Sequence, residues 1–167
     1  MSKQSKRHMG GSGEALPSGA VGEEKIAYAT STATVTADVE VDVTGASITL
    51  EPGVWELQYS ASVLLERTPA STYSIQCRLR IRDSANNVES LTESGSGLYS
   101  NTSDVSWNFF EMSKTKRVNI VSTKTFKLSV TASVSDTIGN CVVYTGSTTN
   151  AIDGSEATTY IRAVRVA

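Results

Sequence analysis

A serine or cysteine nucleophile needs a neighbouring base, most often histidine, and the sequence carries one histidine, His8, in the polar opening MSKQSKRHMGGSG. Triad chemistry is therefore set aside. A glycosidase needs only two carboxylates at a suitable separation, and Asp136, Asp153 and Glu156 lie in polar stretches where they could face a substrate. Ordinary solvation is the commoner fate of loop acids in a soluble domain. No Walker loop, GxGxxG turn, HExxH pair or EF-hand spacing occurs, so no enzyme activity, cofactor or metal is expected. Cys77 and Cys141 are too few and too far apart for a disulfide framework and show no zinc spacing. Core thiols are the expectation, with a single disulfide between them as the alternative.

Recognition chemistry has more to work with. Leu98 and Tyr99 stand among Ser, Gly and Asn in ESGSGLYSNTSD, residues 93 to 104, which reads as the main polar loop of the domain. Asn101 opens a glycosylation sequon, Asn101-Thr102-Ser103, in the same stretch. Tyr99, with Tyr144 elsewhere in the chain, could stack on sugar rings. Arg78, Arg80 and Arg82 form one face of an alternating stretch and either meet an acidic partner or pair across strands with Glu40 and Asp42, the latter being favoured. Trp107, Phe109 and Phe110 read as core or subunit interface. The cluster Lys3, Lys6, Arg7 and His8 is a candidate attachment patch for an acidic surface.

These residues need a scaffold, and its period is two. Ile75, Cys77, Leu79 and Ile81 alternate with Gln76, Arg78, Arg80 and Arg82, and Val35, Ala37, Val39, Val41 and Val43 alternate with Thr36, Asp38, Glu40 and Asp42. Similar signals at 24 to 29, 46 to 50, 54 to 65, 87 to 92, 105 to 111, 117 to 134, 141 to 145 and 158 to 166 are separated by Gly, Asn, Asp and Ser clusters. No window of helical period with a cap interrupts them. The expected fold is all-β, an antiparallel jelly roll or β-sandwich over residues 23 to 167. Residues 1 to 22 are expected to be a flexible N-terminal arm, too polar to offset the entropy of ordering. A second polar loop is expected at 146 to 156.

The 167 residues suit one domain, and 39% hydrophobic with 19% charged residues permits a packed core. A net charge of -2 offers no basic field for nucleic acid or an anionic membrane. No apolar run approaches a membrane span and no apolar segment of a secretory signal opens the sequence, so neither nucleic-acid binding nor membrane insertion is expected, and synthesis is placed in a cytoplasm.

Three stretches carry a family resemblance. ASITLEPGVWELQYSASV at 46 to 63 resembles the strand, Pro-Gly turn and aromatic strand that open many C1q/TNF-like jelly rolls, in the version found in bacteriophage fibre and other virion proteins. ATTYIRAVRVA at 157 to 167 is similar to the closing strand of those domains, and GAVGEEKIAYAT at 19 to 30 to their opening strand. The resemblance implies a homotrimer on the surface of a phage particle. With only about 22 residues ahead of the domain there is no room for a fibre shaft, so the expectation is a compact knob held to other virion proteins by its arm, as a capsid decoration protein, head fibre or small tail-tip adhesin, whose loops could touch host surface glycan. A monomeric carbohydrate-binding module is the alternative.

Overall fold

The computed structural model describes residues 18–35, 38–67, 73–100, 106–134, 139–144, 148–149 and 156–167. They form twelve strands: β1 (Glu24–Tyr28), β2 (Ala33–Val35), β3 (Glu40–Leu50), β4 (Gly53–Arg67), β5 (Tyr73–Asp83), β6 (Ser94–Ser100), β7 (Ser106–Ile120), β8 (Lys124–Val134), β9 (Gly139–Val143), β10 (Thr148–Thr149), β11 (Glu156–Ala157) and β12 (Tyr160–Arg165). Val, Thr, Ile and aromatic residues recur through these segments, the types that suit a pleated, half-buried surface.

Apart from the separate two-stranded ladder of β10 and β11, the strands build two antiparallel sheets. In the first, β7 pairs with β4 along its whole length, while β12 and β9 lie end to end on the other side of β4. β1 and β2 pair with β12 and β9 in turn. The second sheet has the order β3-β8-β5-β6. The chain changes sheet from β3 to β4, β4 to β5, β6 to β7, β7 to β8 and β8 to β9, staying in one sheet only for the β5–β6 connection within that run. Two four-column sheets wound in this way are a jelly roll.

Alternation delivers the core. Trp55, Leu57, Tyr59, Ala61, Val63 and Leu65 of β4 face Ile75, Cys77, Leu79 and Ile81 of β5 and Phe126, Leu128, Val130 and Ala132 of β8, all fully buried. Truncating any of the large ones to alanine should cost about 2–5 kcal/mol. The turn between β3 and β4 forms as expected: Gly53 holds φ at 149° after Pro52, a conformation that L side chains rarely adopt.

Several boundaries differ from expectation. Ser94–Ser100 is strand β6, not loop, because Gly95 and Gly97 let it lie close along β5 and its small side chains leave no apolar alternation to see. The strand expected at 87 to 92 is instead a turn region with one bridge, Arg82 to Val88. Asp83 accepts the backbone N–H groups of Ala85 and Asn87 there, and Asn86 and Leu91 adopt positive φ. The run 117 to 134 breaks at Val121, 85% exposed, where β7 turns into β8. The valine series at 35 to 43 is interrupted at Asp38, with φ of 59°, leaving Val39 exposed between β2 and β3. In the second expected loop, β10 and β11 form a short ladder.

Residues 1 to 17 of the expected arm lie outside the described residues. Its last part is tied down: Gly22 N–H donates to the carbonyl of Arg165 at 2.7 Å and Gly19 N–H to the carboxylate of Glu23 at 2.6 Å. The chain from Ser18 onward thus belongs with the domain.

Candidate functional site

The two outer faces of the sandwich differ in chemistry. On the β3-β8-β5-β6 sheet, pairing brings Glu40 and Asp42 of β3 to one side of β8 and Arg80 and Arg82 of β5 to the other. Arg80 holds Glu40 through two nitrogens, at 2.7 and 2.8 Å, and Ser129 donates to the same carboxylate at 2.7 Å. Arg82 bridges Glu40 at 2.9 Å and Asp42, and Lys127 closes the row on Asp42 at 2.7 Å. The Arg80 hydrogen bond, working against partial burial, holds the Glu40 carboxyl down to about 2. Burial raises Asp42, but hydrogen bonds from Lys127 and Arg82 outweigh it and leave it below its ordinary value. Cross-strand pairing, the reading favoured from the sequence, is what Arg80 and Arg82 do. Their charges are used internally, so Arg80 and Arg82 are not free to dock an acidic partner, whereas Arg78 of the same face stays exposed.

The other sheet presents a mixed face, with Glu24, Glu56 and Arg117 in one row at its end and an aromatic group beyond them. Register sets Tyr28, Tyr160, Ser60 and Ser113 in one row across β1, β12, β4 and β7, with Ile26, Arg162, Gln58 and Thr115 in the next. Tyr28 and Tyr160 meet edge to face with centroids 6.0 Å apart, and Tyr28 and Ile26 remain 50% and 40% exposed. Further along, Thr34, Val142, Leu64 and Phe109 form another row, and the half-buried Tyr144 packs its ring 6.0 Å from that of Phe109. Between the two aromatic pairs, Ser62 is fully buried and donates to Glu111. Arg162 is paired with Glu24 at 2.6 Å.

The recognition residues inferred from sequence do not converge. Leu98 and Tyr99 belong to β6, opposite Ile75 and Ser74, while Tyr144 lies on the outer side of the opposite sheet. Asn101 lies outside the described residues, as do Lys3, Lys6, Arg7, His8, Asp136 and Asp153. Glu156 sits in β11. Among the described residues, no group of three or more His, Cys, Asp or Glu is placed to hold a metal ion, and no helix is long and apolar enough to cross a membrane. The aromatic face was missed in the sequence because Tyr28 and Tyr160 are remote in the chain and only the β1–β12 register joins them.

A cleft of about 590 Å³ opens between the 83–89 turn and the end of β7. Both of its lysines are paired, Lys116 with Glu89 at 2.7 Å and Lys124 with Asp83 at 3.3 Å, and Arg117 lines it as well. No pair of unengaged carboxylates faces it among the residues named.

No family model matches the chain, and no curated protein matches it. Among solved structures, it is similar to a chain of the T13 infectious bursal disease virus particle, at 13% identity and a TM-score of 0.36, covering 87% of this chain and 36% of the viral one. It is also similar to a chain of the Gt strain of that virus, at 12% identity and a TM-score of 0.38, covering 87% and 38%. The chain thus spans little more than a third of the length of these neighbours. A likeness this loose carries no functional meaning, and the jelly roll rests on the strand order itself.

Proposed function

We propose that the chain is a non-enzymatic bacteriophage virion protein, a homotrimeric jelly-roll knob attached to the particle by its N-terminal arm. The observation that carries the self-association is the inequality of the two outer faces. One is closed by a ladder of ion pairs, and the other exposes Ile26 and Tyr28 beside Tyr160, with Leu64, Val142, Phe109 and Tyr144 further along. Large side chains left exposed in a group mark surfaces that meet another protein, and aromatic residues with few charges are the composition of interface centres. A second copy supplies a surface of matching chemistry, and closed rings are the usual outcome for identical chains.

The phage assignment and the count of three rest on the resemblance of residues 19 to 30, 46 to 63 and 157 to 167 to C1q/TNF-like virion domains. Lys3, Lys6, Arg7 and His8 would pair with an acidic particle surface as a capsid decoration protein, head fibre or tail-tip adhesin requires.

Molar mass by light scattering after size exclusion tests the assembly. A mass near three protomers that falls on Tyr28→Glu, with the fold retained by circular dichroism, supports the reading. A monomeric wild type ends it. The attachment claim is tested separately: removal of residues 1–17 should leave the assembly intact and abolish binding to particles, and continued decoration would refute the anchoring role.

A second reading, a carbohydrate-binding module, is favoured by the ring pair of Phe109 and Tyr144. Aromatic surfaces of this kind stack on sugar rings. Glycan-array binding by a monomer, lost on Tyr144→Ala and unaffected by Tyr28→Glu, would move this reading ahead of the virion knob.

A further inference from the structure

We infer that Cys77 and Cys141 are a built inter-sheet oxidation site that forms one intramolecular disulfide across the core. Cys77 is the inward residue of β5, opposite Ala132 of β8, and Cys141 is the inward residue of β9, opposite Leu65 of β4 and Val35 of β2. The two cysteines therefore belong to different sheets. Both are fully buried and both are free thiols. Cα atoms of β5 and β9 approach within 8 Å of one another, closer than the usual spacing of about 10 Å between stacked sheets. Small neighbours, Ala132 and Val35, permit that approach, and it brings the strands towards the separation a disulfide spans.

The neighbouring Cys77, together with burial, pushes the Cys141 thiol above its ordinary value. Full burial keeps both thiols out of reach of an oxidant while the core is closed, since a thiol must meet the disulfide it attacks. Reaction belongs to the open or newly made chain. With a glutathione disulfide as oxidant, one cysteine thiolate attacks its S–S bond, forming a mixed disulfide and expelling one glutathione thiolate. The second cysteine thiolate then attacks the protein sulfur, forming the Cys77–Cys141 bond and expelling the second. The protein loses two electrons and two protons, and the oxidant leaves as two glutathione thiols.

The bond would close a loop containing β6, β7 and β8 and staple one sheet to the other. Such a cross-link acts mainly by restricting the unfolded chain. A protein reduced in a thiol-rich compartment would gain this staple in an oxidising one only as its core opens.

The test uses the full-length chain, unfolded in urea, exposed to oxidised glutathione at low protein concentration and refolded. The expected product is a species lighter by two hydrogens, with a Cys77–Cys141 linked peptide in a non-reduced digest. Its urea midpoint should lie above that of the reduced protein and return on reduction. Cys77→Ala and Cys141→Ala should each lose the shift and carry glutathione on the remaining cysteine. If alanine impairs folding, Cys77→Val restores core volume and serves in its place. An oxidised chain that refolds to a lower midpoint than the reduced one, or that yields only mixed or intermolecular disulfides, overturns the inference.

Discussion

Arg165 and Trp55 are partners across β12 and β4, and the guanidinium lies 5.2 Å from the centroid of the indole ring. The same side chain donates to the carbonyl of Pro52 and approaches the Glu23 carboxylate at 3.7 Å. Trp55 is itself fixed by donation from Nε1 to the carbonyl of Glu51 at 2.9 Å. One cation therefore joins the start of β1, the Pro-Gly turn and the closing strand.

Arg165→Ala should lower stability by about 1–3 kcal/mol, the scale of a desolvated cation–π contact plus a charged hydrogen bond. Arg165→Lys should recover only part, since an ammonium lacks the planar fork. Urea unfolding checks both, and full recovery by lysine would show that charge alone matters.

Gly45 holds φ at 87°, and a Cβ there would stand 2.6 Å from the carbonyl oxygen of Tyr28. Gly45→Ala should cost about 2 kcal/mol or more through backbone strain and displacement of β1. A variant with an unchanged midpoint would mean that β1 is free to shift.

How much of this was visible beforehand follows from where the information sits. The three stretches that carried the family resemblance become spatial neighbours, β1, β12 and β4, and their alternation was legible because each has an apolar face. Arg80 and Arg82 were legible with their acids for the same reason. Strand β6 was not, since a Ser-Gly repeat pairs through backbone and leaves no side-chain period. Nor was the aromatic face, which exists only after register joins Tyr28 to Tyr160 and Phe109 to the strand bearing Leu64.

Acid should expose the ion-pair ladder. Glu40 ionises at about 2 in the folded chain against an ordinary value of 4.5, so its contribution is complete above about 4.5 and is lost as pH falls towards 2. Stability measured across that window should decline, and Glu40→Gln should flatten the decline while lowering stability at neutral pH. An equally steep acid limb in the variant would assign the effect to other carboxylates.

Tyr59 is fully buried with its hydroxyl against Ser94 and 3.3 Å from the carbonyl of Leu79. Burial pushes its phenol up to about 12. Spectrophotometric titration should therefore find a tyrosine that ionises last, absent in Tyr59→Phe, and the substitution should cost about 1 kcal/mol. Loss of a phenol titrating near 10 instead would place Tyr59 in contact with water.

The strand that fills the gap between β1 and β4 is β12, near the far end of the chain from β1. During synthesis the first of these strands leaves the ribosome long before its neighbour exists. A nascent chain would hold β1 without a ladder partner and the Trp55–Ser60 half of one β4 flank open until β12 has been made. Folding of this domain thus waits for β12, and chains stalled before Tyr160 should be sensitive to protease and prone to associate through the open flank.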